Sequence, residues 1–119
     1  MNYLGVDYGE AKVGVARAEG PLAEPLDTFD TGMALHELML LTKKLAIDEI
    51  VIGDCPDEFL QMIKGWGLPV HQVDETLSSH DARQALLHKT QKKRREDEHA
   101  VSAAIILQSW LDRSTSPST

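Results

Sequence analysis

The sequence has few of the residues that hold small domains together by cross-links. Its one cysteine, Cys55, excludes an intramolecular disulfide and a zinc site built on paired cysteines. No apolar run approaches the ~18 residues of a membrane span, and no basic segment followed by an apolar one marks a signal peptide. We therefore expect one cytoplasmic domain without a membrane partner, large enough at 119 residues to bury its own core.

Positive charge is also scarce, and it is concentrated in one segment. The formal net charge is −7 at pH 7, which on its face argues against nucleic acid. The segment 89–95 carries +5, so that the remainder, at −7 minus 5, carries −12. The segment lacks apolar periodicity and is predicted to be a solvated loop, either an unspecialised one or one that contacts phosphates. Its basic residues are Lys89, Lys92, Lys93, Arg94 and Arg95.

Apolar periodicity predicts nine elements in the order β-β-β-α-β-α-β-α-α. The first two strands are joined by the turn 8–11, in which Gly9 can take a positive φ. The prolines of the region 20–30 favour a short edge strand there. The predicted strands cover 2–7, 12–18, 26–29, 47–53 and 68–73, and the predicted helices cover 31–46, 56–64, 79–88 and 97–112.

This order of elements predicts an α/β fold. The sheet is expected to be mixed, antiparallel over its first three strands and parallel after them, with helices on both faces. A single domain is expected over residues 1–112, and the polar tail 113–119 is expected to be disordered.

The helix predicted at 31–46 has an apolar face at the three-four spacing of an amphipathic helix. Leu35 and Met39 widen that face, whereas Thr42 belongs to the polar side. Asp30 or Thr31 is expected to cap the first turn. The face itself consists of Ala34, Leu38, Leu41 and Leu45.

Acidic side chains lie where predicted strands end and where the last helix begins. Asp7 is near the end of the first strand, and Glu75 comes just after the strand 68–73. Ligands bind outside the carboxyl ends of strands in open α/β sheets, so these carboxylates converge if their strands are neighbours. The first turn of the last helix, with Glu96 and Asp97, could add a third ligand. Such a set suits magnesium or manganese, and two such ions can drive phosphodiester hydrolysis.

Each of these residues also has a purely structural explanation. An aspartate close to a glycine is often a turn residue, and Glu75 could face solvent before a helix. Acids at 96–98 suit the positive end of any helix dipole. His99 could be a polar residue at the edge of a buried helix. Spacing alone leaves both explanations open.

Four segments, in chain order, resemble motifs of one family. The segment 7–16 resembles a D-x-G-x-x-x-x-G-V-A signature, and 73–79 resembles D-E-R-L-S-[ST]. The segments 51–53 and 103–111 resemble a V-G-L-P strand end and a final A-[AV]-x-I-L-[QE]-x-[YF]-L helix. Together they span most of the chain and resemble the YqgF/RuvX family, which is Holliday-junction-resolvase-like and has an RNase H-like fold.

The resemblance implies a divalent-metal-dependent nuclease that acts in 5′-end maturation of pre-16S ribosomal RNA. The alternative that it implies is Holliday-junction cleavage. Asp7 and Glu75 match the first two implied metal ligands, and His99 stands where the family has an aspartate. Asp97 and then Glu96 are the nearby alternatives for this third ligand. Because imidazole is a softer donor than carboxylate, we expect Mn²⁺ to be favoured over Mg²⁺.

The implied partner is RNA or DNA, bound by the segment 89–95 and in a minor way by Lys12. Junction cleavage would need two sites and hence a homodimer, whereas RNA trimming needs only a monomer. The loop 53–57 is shorter than the family pattern, and Cys55 within it is interpreted as a small, partly buried residue rather than a nucleophile.

Two further classes of function compete with the nuclease. The segment 7–16 also resembles the phosphate-binding hairpin of actin-like ATP-binding proteins, but 119 residues leave no room for their second domain. A non-catalytic nucleic-acid-binding or ribosome-associated factor is the other alternative, because His99 replaces an implied carboxylate.

Overall fold

A computed structural model of the protein describes residues 1–73 and 98–115. Within these ranges the chain forms five strands and three helices. The predicted helix 79–88 and the basic segment 89–95 lie outside the described residues. The strands are β1 (Tyr3–Asp7), β2 (Lys12–Ala18), β3 (Glu24–Asp30), β4 (Glu49–Ile52) and β5 (Val70–Gln72), and the helices are α1 (Thr31–Lys44), α2 (Asp57–Lys64) and α3 (Glu98–Thr115).

The strands form one mixed sheet in the order β3-β2-β1-β4-β5. The pairs β1–β2 and β2–β3 are antiparallel, whereas β4 pairs with β1 and β5 pairs with β4 in parallel. This confirms the predicted α/β fold and the predicted edge strand, in which Pro25 is tolerated because β3 has a partner on one side only. After β1, the strands β2 and β3 are added on one side of it, and β4 and β5 are added on the other. The order of strands therefore reverses between β1 and β4.

Successive side chains of β1 point to opposite faces of the sheet, and each face has its own hydrophobic core. Leu4 and Val6 point to one face and pack with residues of α1 and α2, including Leu38 and Ile63. The opposite face is covered by α3 and is rich in small side chains. Its buried cluster includes Ala16, Ala18, Val51, Ala103, Ala104 and Leu107. The helices therefore lie on both faces of the sheet, as predicted.

The side of the sheet covered by α3 allows very close packing. A Cβ added at Gly5 would lie 2.7 Å from the Cβ of Leu107 and 2.9 Å from the carbonyl oxygen of Ala103. Real Cβ atoms do not approach that closely, so only glycine fits between β1 and α3. At the far end of α3, Trp110 stacks on His71 of β5 with ring centroids 4.6 Å apart.

Several local predictions for α1 were wrong. Thr42 is buried rather than solvent-facing, because its hydroxyl donates to the carbonyl oxygen of Met39 at 2.7 Å and so satisfies itself within the helix. Met39 is 39% exposed and does not extend the apolar face. Asp30 occupies the N-cap position but makes no side-chain cap hydrogen bond. Instead its carboxylate pairs with Lys12 at 3.4 Å.

One backbone conformation and one helix boundary also differ from the predictions. Gly9 does not adopt a positive φ; glycine is needed there because a Cβ would lie 2.5 Å from the carbonyl oxygen of Lys12. The last helix continues to Thr115, three residues beyond the predicted end at 112. No helix in the described part of the chain is long and apolar enough to cross a membrane.

Candidate functional site

The candidate site is built on the end of the β1–β2 hairpin. Asp7 is the last residue of β1 and pairs in register with Gly14 of β2. The alternation that sends Leu4 and Val6 towards α1 and α2 places Asp7 on the opposite face, together with Gly5. Asp7 therefore lies on the face of the sheet that α3 covers, at the edge where the parallel strands end.

The first turn of α3 rests directly on this pair of residues. A Cβ added at Gly14 would overlap the carbonyl oxygen of His99 and lie 2.7 Å from the backbone nitrogen of Ala100. Because Gly5 meets Ala103 and Leu107, α3 runs antiparallel to β1. The beginning of α3 is thus brought to the carboxyl end of β1, beside Asp7.

The imidazole of His99 extends over the turn that follows Asp7. Its Cε1 atom lies 3.8 Å from the position that a Cβ on Gly9 would take. His99 itself is half-buried. The structure therefore brings together two of the residues singled out in the sequence, one from each end of the chain, with glycines between them.

A hydrogen bond and a backbone contact hold the turn in place from the other side. The Thr31 hydroxyl donates to the carbonyl oxygen of Gly9 at 2.7 Å, and the Thr31 N–H donates to the carbonyl oxygen of Ala11 at 3.0 Å. Thr31 was expected only as a helix cap, and nothing in the sequence pattern pointed to the turn 8–11 as its partner. The start of α1 and the start of α3 thus fix the same hairpin turn.

The end of the hairpin has a favourable electrostatic environment for an anionic group. The first turn of a helix carries a partial positive charge, because its N–H groups have no partner in the helix. α3 presents that end to the Asp7–Gly14 pair. Lys12 follows the turn, with its side chain 54% exposed and ion-paired to Asp30.

The donors present suit a divalent cation. Asp7 offers carboxylate oxygens and His99 an imidazole nitrogen, and the glycine at position 14 lets the first turn of α3 pack directly against the hairpin. Within residues 1–73 and 98–115, no three His, Cys, Asp or Glu side chains are close enough together to hold a metal ion. A complete protein-derived ligand set therefore requires a residue from outside these ranges.

The remaining predicted site residues lie outside the described residues. They are Glu75, Glu96 and Asp97 of the predicted metal site, and Lys89, Lys92, Lys93, Arg94 and Arg95 of the predicted basic loop. The chain enters this region from Val73, which is buried on the α3 side. The Val73 N–H donates to the carbonyl oxygen of Ile52 at 2.7 Å, so the entry point continues the parallel part of the sheet.

Cys55 does not have the properties of a nucleophile. Burial raises the pKa of its thiol, and the neighbouring carboxylates of Asp54 and Asp57 raise it further. The thiol is therefore protonated at neutral pH, and the thiolate is the reactive form. This agrees with the interpretation of Cys55 as a partly buried packing residue.

Comparison with known proteins places the chain among nucleases. A family model described as RuvX: Holliday junction resolvase matches residues 1–113. A protein of Desulfitobacterium hafniense (strain DSM 10664 / DCB-2) named "Putative pre-16S rRNA nuclease" is 31% identical over an alignment of 131 positions, gaps included, that covers 94% of this chain and 92% of the relative. A protein of the same name from Protochlamydia amoebophila (strain UWE25) is 31% identical over an alignment of 137 positions that covers 92% of this chain and 91% of that relative.

Solved structures with little sequence identity share the fold. RuvC of Thermus thermophilus superposes with a TM-score of 0.68 at 11% identity, covering 96% of each chain. The same protein in complex with a Holliday junction substrate gives a TM-score of 0.66 at 13% identity, covering 98% of this chain and 97% of that one.

Proposed function

Because the chain belongs to the RuvX family of Holliday junction resolvases, and is thus a hydrolase of phosphodiester bonds, we propose that it cuts RNA during 5′-end maturation of pre-16S ribosomal RNA with the help of a divalent metal ion. The curated relatives that carry the pre-16S name align over nearly their whole length. A ribosomal RNA substrate would place the protein in the cytoplasm, and trimming of such a strand needs only a monomer.

The observation that carries the proposal is the contact between the start of α3 and the Asp7–Gly14 pair. Asp7 is half-buried, and a carboxylate that is partly withdrawn from water is stabilised by polar partners or by a bound cation. This carboxylate lies at the carboxyl end of β1, next to the turn over which the imidazole of His99 extends. Open α/β sheets bind their ligands outside such strand ends.

Asp7 and His99 are the described residues that would hold the ion, and Glu75 is proposed to complete the set, with Asp97 or Glu96 as further oxygen donors. A divalent ion there would supply Lewis-acid stabilisation of phosphate charge and activation of the attacking water. β1 and α3 fix the two donors through backbone packing. Lys12 and the basic loop at 89–95 are proposed to contact flanking phosphates, which positions a strand without selecting its sequence.

We also propose that Mn²⁺ supports the reaction better than Mg²⁺. Magnesium prefers oxygen ligands in near-ideal octahedral geometry. Imidazole nitrogen is accepted more readily by transition metals. With His99 in the position where the family has an aspartate, the site has one negative charge fewer and one nitrogen donor more.

The test is a cleavage assay with purified protein on four substrates in Mn²⁺ and in Mg²⁺. The substrates are a 16S precursor with its 5′ leader, unstructured RNA, single-stranded DNA and a four-way DNA junction. We expect cleavage of the RNA precursor, and we expect Asp7→Asn to reduce kcat by at least roughly 100-fold, since metal stabilisation of the transition state is worth several kcal/mol. The matched control is Asp112→Asn, an exposed aspartate at the other end of α3.

Three outcomes would contradict the proposal. Full activity of Asp7→Asn would remove Asp7 from the site. Absence of cleavage on every substrate in both metals would favour a non-catalytic factor. Paired cuts in the four-way junction without RNA cleavage, by a protein that sediments as a dimer, would assign the alternative resolvase activity, which the fold shared with RuvC makes the second candidate.

A further inference from the structure

A groove of about 310 Å³ opens beside the candidate site, and nothing in the proposed chemistry uses it. It lies between the start of α1 and the length of α2. Thr31 lines one wall of the groove, and its hydroxyl already donates a hydrogen bond to the carbonyl oxygen of Gly9 in the hairpin turn. The other residues that line it are Tyr8, Leu35, Pro56, Glu58, Phe59 and Met62.

The topology places this groove where a ligand is expected. Tyr8 directly follows β1, and Pro56 opens the helix that follows β4. The order of strands reverses between β1 and β4, and ligands of open α/β sheets bind outside such a reversal. Tyr8 is also the neighbour of Asp7, on the other face of the same strand end, because it packs with the α1 and α2 core.

The chemistry of the lining favours a flat, uncharged group. Tyr8 and Phe59 meet edge to face with centroids 4.8 Å apart. Phe59 is buried and supports the half-buried ring of Tyr8 at the wall of the groove. Met62 is 56% exposed beside them, although a methionine on a helix is usually more buried. Among the described residues that line this groove there is no cation, and the one charged group is the carboxylate of Glu58. A phosphate is therefore a poor occupant.

We infer that this Tyr8 groove binds an unpaired nucleobase of the substrate strand, next to the phosphate at Asp7, and that it favours a base with an exocyclic amino group. Stacking on aromatic side chains accepts any base. The Glu58 carboxylate can only accept hydrogen bonds, so it pairs with the amino group of cytosine, adenine or guanine. Uracil offers only its N3–H, which lies between two carbonyl oxygens that repel the carboxylate. The inference rests on the proposed nuclease function and adds a specificity determinant to it.

The first experiment compares intact strands with strands that lack one base. Abasic residues are introduced at successive positions on either side of the scissile phosphate, in RNA and in DNA. We expect Tyr8→Ala to raise KM by about 5- to 150-fold on the intact strand, the range found for one stacked base. On the strand without the bound base, Tyr8→Ala and the wild type should have the same KM.

A pair of methionines provides the control for a surface effect. Met62→Ala is expected to raise KM on the intact strand in the same base-dependent way, though less than Tyr8→Ala. Met33→Ala changes a methionine of similar exposure, 53%, that does not line the groove, and should leave KM unchanged. Equal penalties on intact and abasic strands would mean that Tyr8 and Met62 act only through the fold, and would overturn the inference.

The second experiment varies the base at the position that the abasic scan identifies. The wild type should discriminate against uracil by roughly 2- to 10-fold, the value of one net hydrogen bond. Glu58→Gln should abolish this preference, because an amide can donate as well as accept. Asp57→Asn removes the neighbouring acid of the same helical turn and should preserve it. Unchanged discrimination in Glu58→Gln would contradict the role of Glu58.

Failure of this inference can be separated from failure of the nuclease proposal. Binding of fluorescein-labelled single strands to the Asp7→Asn variant, measured by anisotropy, tests the groove without cleavage. If the wild type cleaves but base removal changes neither KM nor anisotropy, only the groove is wrongly assigned. If Met62→Ala instead abolishes a concentration-dependent dimer in sedimentation and leaves strand binding intact, the groove is an interface with a second copy and the inference is overturned.

Discussion

His99 is the residue whose identity sets the charge of the candidate site. Replacing it by aspartate would create the all-carboxylate set that the family pattern implies. We expect His99→Asp to raise the ratio of the Mg²⁺ rate to the Mn²⁺ rate by roughly tenfold, comparable to other changes close to a metal. The measurement is initial cleavage rate against metal concentration. His36→Asp, which alters an exposed histidine of α1, should leave the ratio unchanged, and an unchanged ratio in His99→Asp would exclude His99 as a ligand.

Cys55 gives a pH-dependent prediction that does not depend on catalysis. Because burial and the acids on either side raise the pKa of the thiol, its iodoacetamide alkylation should reach half its maximal rate above the ordinary pH for a thiol. The folded chain holds this proton more tightly than the unfolded chain does, so stability should decrease as the pH rises through the unfolded and then the folded pKa. Asp57→Asn should speed alkylation about twofold at fixed pH, as expected for one exposed charge. Half-maximal alkylation below the ordinary pH would contradict this assignment.

At the scale of elements, the position of α3 depends on the absence of a side chain at Gly14. A methyl group there would overlap the backbone of His99, so Gly14→Ala must push α3 away from Asp7. We expect a loss of about 3 kcal/mol or more in the free energy of unfolding, at the upper end of overpacking effects. Urea unfolding followed by circular dichroism measures it.

A glycine in open surroundings is the control for this prediction. Gly32, in the first turn of α1, has nothing within 4 Å of an added Cβ. Gly32→Ala should therefore stabilise the protein by about 0.5–1 kcal/mol, because alanine restricts the unfolded chain. Similar unfolding curves for Gly14→Ala and Gly32→Ala would show that α3 does not press on β2 as described.

The elements themselves were predictable because each depends on local periodicity. β2 was predicted with its observed bounds, and the apolar residues of α2, among them Phe59 and Ile63, are buried as expected. What the sequence could not show is how distant elements meet. Thr31 bonds to Gly9, and Gly14 admits His99, across sequence separations that no periodic pattern encodes. Asp7 was recognisable from its motif, but its proximity to His99 required the fold.

At the scale of the whole molecule, the charge distribution predicts how binding responds to salt. An acidic chain with its positive charge concentrated at 89–95 should bind nucleic acid through that segment. We expect the double variant Lys92→Gln and Lys93→Gln to weaken strand binding and to reduce the slope of log affinity against log salt by up to about 0.7–0.9 for each lost phosphate contact. Anisotropy titrations at several salt concentrations measure this slope.

The chain contains a matched pair of lysines for comparison. Lys43 and Lys44 are also adjacent and exposed, but they lie in the last turn of α1, far from its start at the hairpin turn. Lys43→Gln with Lys44→Gln removes the same net charge and should leave the slope unchanged. An equal decrease in both double variants would mean that net charge, rather than a localised contact, controls binding.

The packing of α3 on β1 and β2 also determines when the candidate site can form during synthesis of the chain. The ribosome makes the hairpin with Asp7 first, and it makes α3 with His99 only after all five strands. Until that helix emerges, the small-residue face of the sheet has no cover and the turn that follows Asp7 lacks the imidazole of His99. A nascent chain is therefore held next to ribosomal RNA in an incomplete form, and the candidate site is assembled only once α3 has been synthesised.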